Sequence, residues 1–389
     1  MFRILSTCVH ELRRILRDEG TLILLLLVPL GYPLLYAYLY TNEVVREVPV
    51  VAVLPSPTSM GREFVRMVDA SPSVDIVLRT SRMEEAKEWM RRKQAYGIIY
   101  LPTEFERNIQ RGKQAHVSLF CDMSALLYYK ALMITCTDVS LKMNDAIRLR
   151  LMPGLTTRQE EVSTMPIRYE SVTSFNPQSG FATFLIPAVL ILIIQQTLLL
   201  GTGLLAGTDR DQGIRPHQVG FVGMTGRALA CFILGIFTCT YMLVAVPHLF
   251  HLPQLTDTLT LSIFILPYLL ACIFFALTLS AFVPNREACM LIFVFTSVPL
   301  LFLSGISWPG ASIPMGWKLF SYLFPSTFGI NGFVHINTMG ASLLDVQTEY
   351  AALWIQSGIY FLTASYCWRR YEGIGIIPYN KGRHTGLPL

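Results

Sequence analysis

Charge is what this 389-residue sequence has least of: 15% of its residues are Asp, Glu, Lys or Arg against 52% hydrophobic, where a soluble globular protein carries about 25% charge. The deficit is local. Residues 21–40, 181–206, 228–250, 258–283, 288–303 and 350–368 contain no Asp, Glu, Lys or Arg at all. Ion-coupled carriers and proton pumps place ionisable groups near the membrane midplane, so their absence disfavours that class. A phosphate-binding loop is also missing. The one Gly-Lys pair, Gly112-Lys113, is followed by Gln114 and has Arg107 where the first glycine of G-x-x-x-x-G-K-[ST] belongs. No G-x-S-x-G nucleophile elbow occurs. His248 and His251 make an H-x-x-H spacing, but two ligands in a turn closed by Pro247 and Pro253 fall short of the three or four a metal site needs. The net charge of +5 is not gathered into one basic patch, which argues against nucleic acid. Of eight cysteines, Cys8, Cys231, Cys239, Cys272, Cys289 and Cys367 precede or lie in apolar runs and read as small core hydrophobes. Only Cys121 and Cys136 lie in a polar region, so at most one disulfide is open there.

What is present is a set of spans and loops. Residues 1–19 carry Leu5, Val9, Leu12 and Leu16 at helical steps, with Arg3, Arg13, Arg14 and Arg17 mostly off that stripe, an amphipathic helix suited to a membrane surface. It runs into a first span at 20–42, too long for a cleaved signal segment and read as a retained anchor. Residues 43–177 change character to an α/β domain. Short β-branched runs at 48–54, 74–78 and 96–100 alternate with helical stretches at 58–68 and 81–92, the latter opening on a Ser81/Glu84 capping box. A longer helix at 124–150 ends at Met152-Pro153-Gly154 and is a candidate stalk. The five remaining apolar runs occupy 178–369, the run at 288–303 extending to about Trp308, and a tail follows at 370–389. The fold class is thus a polytopic α-helical membrane protein, six transmembrane helices plus an inserted α/β extracytoplasmic domain.

Lysine and arginine set the orientation. Arg13, Arg14, Arg17, Arg210, Arg215, Arg227, Arg286, Arg369, Arg370, Lys381 and Arg383 all fall on the side of the termini. The short connections on the opposite side, 251–257 and 304–349, hold only Lys318. Both termini are therefore expected in the cytoplasm, and the 43–177 domain outside. A chain with neither coupling-ion residues nor a phosphate loop must draw energy from a partner if it does work.

Two motifs in separate parts of the chain point to a family. Ser304-Gly305-Ile306-Ser307-Trp308-Pro309, then Ile313-Pro314, Trp317 and Tyr322-Leu323-Phe324-Pro325-Ser326-Thr327, resembles the stretch before the last span of type-2 ABC transporter permeases. Gly97-Ile98-Ile99-Tyr100-Leu101-Pro102 with Phe105-Glu106-Arg107-Asn108 and Arg111-Gly112 resembles a strand, proline and short helix in their large outer domain. The resemblance, to permeases of the bacterial multidrug or export type, implies a dimer, homomeric or heteromeric, with each permease docked on a separate ABC ATPase. That partner would hold the ATP and Mg, and this chain would bind no cofactor and catalyse nothing. It also implies an inner-membrane protein of bacteria that moves a hydrophobic or amphipathic substrate outward, with a periplasmic adaptor as a candidate partner.

The same resemblance places a coupling helix in the cytoplasmic connection 207–227, with Asp209, Arg210, Asp211, Arg215 and His217 as ATPase-coupling candidates. Arg13, Arg14 and Arg17 would touch the ATPase or lipid phosphates. The second and fifth spans would line the path, offering Gln195 and Gln196, and Thr296 and Ser297. Adjacent amides point about 100° apart on a helix, so Gln195 and Gln196 are expected to divide packing and substrate contact. The segment 304–345 is expected to re-enter the outer leaflet. Two other classes compete: a membrane sensor or scaffold with a ligand-binding outer domain, and a membrane-embedded transferase using Asp209-Arg210-Asp211 as a metal-binding D-x-D.

Overall fold

A computed structural model of the chain describes residues 2–40, 44–151, 175–176, 180–213 and 216–370. The chain divides into two compact units, Val44–Thr173 and the combination of Met1–Glu43 with Ser174–Leu389.

In the larger unit, helix α1 (Phe2–Arg17) is followed by α2 (Glu19–Leu39), which contains a π-helical turn at Ile23–Leu27. The other long helices are α7 (Phe181–Asp211), α8 (Pro216–Thr240, prolonged through a π-helical turn to Leu249), α9 (Thr258–Ser280) and α10 (Arg286–Leu303). Among the described residues, five helices are long and apolar enough to cross a membrane, namely α2, α7, α8 from Gly220, α9 and α10. The final helix α13 (Gln347–Arg370) has the length but is diluted by Gln356, Ser357, Thr363 and Ser365. It packs along α9 and carries no charge between Glu349 and Arg369.

The 31 residues of α7 span about 46 Å, well beyond a hydrocarbon core of about 30 Å. Its last turn, Thr208 to Asp211, therefore remains helical past the apolar run, and the connection to α8 is shorter than the 207–227 loop expected from charge. Within α8, Gly220 takes φ 61 and ψ −170, a conformation open only to glycine, which sets Pro216 to Val219 apart from the long helix. Helix α10 stops at Leu303, where Ser304 and Gly305 (φ 88) turn the chain, so the extension to Trp308 is not made. Residues 304–345 fold as a 3-10 turn at Gly310–Ser312, α11 (Met315–Ser321) and α12 (Pro325–Met339), the last closed by Gly340 in the left-handed conformation.

Small residues let the long helices touch. A Cβ on Gly207 would lie 2.7 Å from the Arg286 backbone, which fixes how closely α7 and the start of α10 approach. Tyrosine hydroxyls tie the spans through buried carbonyls: Tyr268 Oη donates to Ile191 O at 2.6 Å and Tyr241 Oη to Leu30 O at 2.9 Å.

The smaller unit is an α/β sandwich. Strands β1 (Val48–Val53), β2 (Val74–Thr80), β3 (Gly97–Tyr100) and β4 (Ser118–Cys121) form a sheet in the order β2-β1-β3-β4. β1 pairs in parallel with β2 and β3, whereas β4 runs antiparallel to β3, Ile98 facing Phe120. The run Val-Pro-Val-Val-Ala-Val of β1 is apolar on both faces because both are covered. Val48, Val50 and Ala52 meet α3 (Ser59–Asp69) and α6 (Leu126–Leu151), and Val51 and Val53 meet α4 (Met83–Arg91). A short helix α5 (Phe105–Gln110) follows β3.

The Ser81/Glu84 capping box does not form. Helix α4 begins two residues after Ser81, and the equivalent contacts come from neighbours: Thr80 Oγ1 donates to Glu85 and accepts from Arg82 N. The expected stop at Met152-Pro153-Gly154 lies outside the described residues. Cys121 and Cys136 are both free thiols. Burial pushes the Cys136 thiol up to about 12, with Cys121 nearby adding to the shift.

Candidate functional site

The end of the bundle where α1 meets α7 and α8 holds a closed ring of four charges. Arg227 on α8 donates from Nε to Glu11 Oε2 at 2.9 Å and from Nη2 to Asp209 Oδ2 at 2.8 Å. Arg14 completes the circuit, donating from Nη1 to Glu11 Oε1 at 3.0 Å and from Nη2 to Asp209 Oδ1. Two carboxylates and two guanidiniums leave no net charge. Arg227 is 1% exposed and Asp209 6%, a depth at which an isolated charge would be prohibitive and only such pairing is tolerated. The remaining face of Arg227 lies 5.4 Å from the ring centroid of Trp368 on α13. Trp368 in turn donates from Nε1 to Leu277 O of α9 at 3.3 Å. The ring thus ties α1, α7 and α8 together and leans on α13.

Local sequence explains why these groups meet. Glu11 and Arg14 are three apart on α1 and share a face with buried Cys8 and Ile15. Gly226, beside Arg227, lacks the Cβ that would lie 2.6 Å from Thr7 Cγ2, so α1 and α8 approach closely. A second cluster sits at the start of the first span. Arg286 Nη1 donates to Asp18 Oδ1 at 3.0 Å and to Thr208 Oγ1 at 3.1 Å, and Asp18 also caps Thr21 N. Burial opposes the charge on Asp18, but the bonds from Thr21 and Arg286 outweigh it and hold the carboxyl below its ordinary value.

Of the candidates read from sequence, only Arg14 and Asp209 enter the ring. Both Asp209 oxygens accept from arginine, which engages the first carboxylate of the D-x-D in the ring. Arg210 donates to Ala281 O, and Asp211 is exposed. Arg13 and Arg17 are exposed on α1 beside Leu5, Val9 and Leu16. Arg215 and the His217 side chain lie outside the described residues. Gln195 Oε1 accepts from Ser326 N at 2.7 Å, capping the start of α12, while its Nε2 has no partner among the described residues. Gln196 is 6% exposed, and neither amide atom has a partner among the described residues. Thr296 and Ser297 turn their hydroxyls onto their own helix, donating to Phe293 O at 2.7 Å and Val294 O at 2.6 Å. Among the described residues no group of three or more His, Cys, Asp or Glu is placed to hold a metal ion.

Sequence reasoning missed Glu11, Arg227, Trp368, Asp18 and Arg286 as partners. The available signal was a single glutamate in an arginine-rich interfacial helix and a single arginine opening a charge-free run.

Long apolar helices, a paired ionic cluster at their end and an inserted domain with a small sheet define a multi-pass membrane protein of the transporter class. The sequence pattern of the ABC-2 family transporter proteins matches residues 20–366. The chain belongs to this family of membrane permeases, which are themselves non-catalytic. A search of curated protein sequences gives no match to it.

Proposed function

We propose that this chain is the permease subunit of an ATP-driven exporter of bacteria, resident in the inner membrane with both termini cytoplasmic and the inserted domain outside. Helix α13 is then the sixth crossing. A second permease completes the transport path, a separate ABC ATPase binds ATP and Mg, and the cargo is hydrophobic or amphipathic. A periplasmic adaptor is the natural partner for the outer domain.

The observation that carries this reading, beyond membership of the family, is the ionic ring at Asp209 and Arg227. The turn between α7 and α8, with Asp211, Arg215 and His217, is the docking surface for the ATPase. A push on that turn is delivered through Asp209 and Arg227 to the second and third crossings at once, and through Glu11 and Arg14 to α1. The short helical piece Pro216 to Val219, freed by the Gly220 break, is the element that moves. The ring transmits because it is buried, charge-balanced and joined to three helices. Arg13 and Arg17, directed away from it, serve lipid phosphates or the ATPase rim.

The test is the charge reversal D211R/R215E/H217E in the full-length protein. Expected are normal membrane insertion, loss of co-purification with its ATPase and loss of ATP-dependent efflux. Intact efflux would refute the docking assignment.

A further inference from the structure

The inserted domain contains a cleft of about 570 Å³, within the size range of small-molecule sites. Its floor is the open edge of the domain core. Phe64 and Phe105 lie there edge to face with centroids 6.4 Å apart, beside Met143. One wall is a single face of α6, where Ser140, Asn144, Ile147 and Arg148 recur at helical spacing around Met143. The other is the segment after α5, where Ile109, Ala115 and Val117 pack on the core yet remain half-exposed. The backbone turns at Gly112 (φ 69), bringing exposed Lys113 to the mouth.

The charges of the lining are of one sign. Lys113 and Arg148 are cationic, Ser140, Asn144 and Gln114 supply neutral polar groups, and among the described residues no aspartate or glutamate lines the cleft. The Lys113 ammonium has no ion-pair partner among the described residues. Hydrocarbon below and positive charge at the rim select a ligand that is apolar at one end and anionic at the other. A cation would be repelled at the mouth, and a neutral chain would gain nothing from the hydrated ammonium.

We propose that this cleft binds an amphipathic organic anion, its hydrocarbon on Phe105, Ile109 and Met143 and its acid group at Lys113. Such binding goes beyond the permease reading and needs neither ATP nor a partner.

The test uses the full-length protein in neutral phosphatidylcholine nanodiscs without ATPase, labelled with a diazirine-bearing dodecanoate and mapped by mass spectrometry. Adducts are expected on residues 105–117 and 140–148. Unlabelled dodecanoate is expected to compete about tenfold better than dodecanol, and Lys113→Glu to lower labelling about tenfold at unchanged thermal midpoint. Met143→Trp, which fills the floor, should abolish labelling. Adducts confined to the spans, equal competition by dodecanol, or unchanged labelling of K113E would each overturn the proposal. None of these readouts depends on efflux, so failure of the docking assignment leaves them unaffected.

Discussion

Among the buried polar groups of the larger unit, two clusters are treated in opposite ways. At the end of the bundle, Glu11, Arg14, Asp209 and Arg227 satisfy one another pairwise. Midway along α7, Gln195 engages Ser326 with one amide atom, and Gln196 engages no partner among the described residues. Fully paired charges act as a structural weld, because removing any member strands its partners in a dry site. Unpaired amides confer no such strength. They carry a cost in desolvation.

The largest effect that tests this contrast is expected at Arg227. Arg227→Met leaves Glu11 and Asp209 facing each other with only Arg14 between them, and should cost about 3–5 kcal/mol. The cost is read as unfolding free energy in mixed micelles titrated with SDS. The triple replacement E11L/D209L/R227M should regain most of that loss, since an apolar substitute of similar volume strands no charge. A loss below about 1 kcal/mol for R227M would mean that the ring is solvated and worth no more than a surface pair. Asp209→Asn keeps the shape but turns one acceptor into an NH2 donor facing an arginine, so one charge-assisted bond is lost and the other weakened; the cost should still fall lower, at about 1.5–3 kcal/mol. A membrane-embedded transferase working through Asp209 instead predicts lost turnover at unchanged stability.

How much of this was legible in the sequence depends on what surrounds each element. The spans were legible because lipid demands long charge-free runs, and the α/β domain because its strands are apolar and bounded by turns. Strand β4 was not, since a four-residue edge strand that is half-exposed shows neither alternation nor a continuous apolar run. The stripe Leu5, Val9, Leu12 and Leu16 was read correctly as one apolar face, yet Leu5, Val9 and Leu16 are the residues left uncovered by protein. In a membrane protein such a stripe is turned to lipid, and the face turned to protein carries the buried carboxylate, here Glu11 between Cys8 and Ile15. For the same reason Asp209 read as the start of a charged loop. Sequence shows where charge begins but not that Asp209 stays on a helix running to Asp211 and pairs with Arg14, 195 residues away.

The smallest effects are expected at the two glutamines, and they separate the two roles that adjacent amides were expected to divide. Gln195→Leu removes the acceptor for Ser326 N and leaves that buried N–H unpaired, so it should cost about 1–3 kcal/mol. Gln196→Leu removes a side chain with no partner among the described residues. It should be neutral within about 0.5 kcal/mol or mildly stabilising. Measured together, stability and efflux locate the missing partner of Gln196. If Q196L keeps its stability while efflux falls, the amide is answered by cargo or by the second permease. If both are unchanged, the amide is dispensable, and the contrast with the ionic ring reduces to a difference in packing.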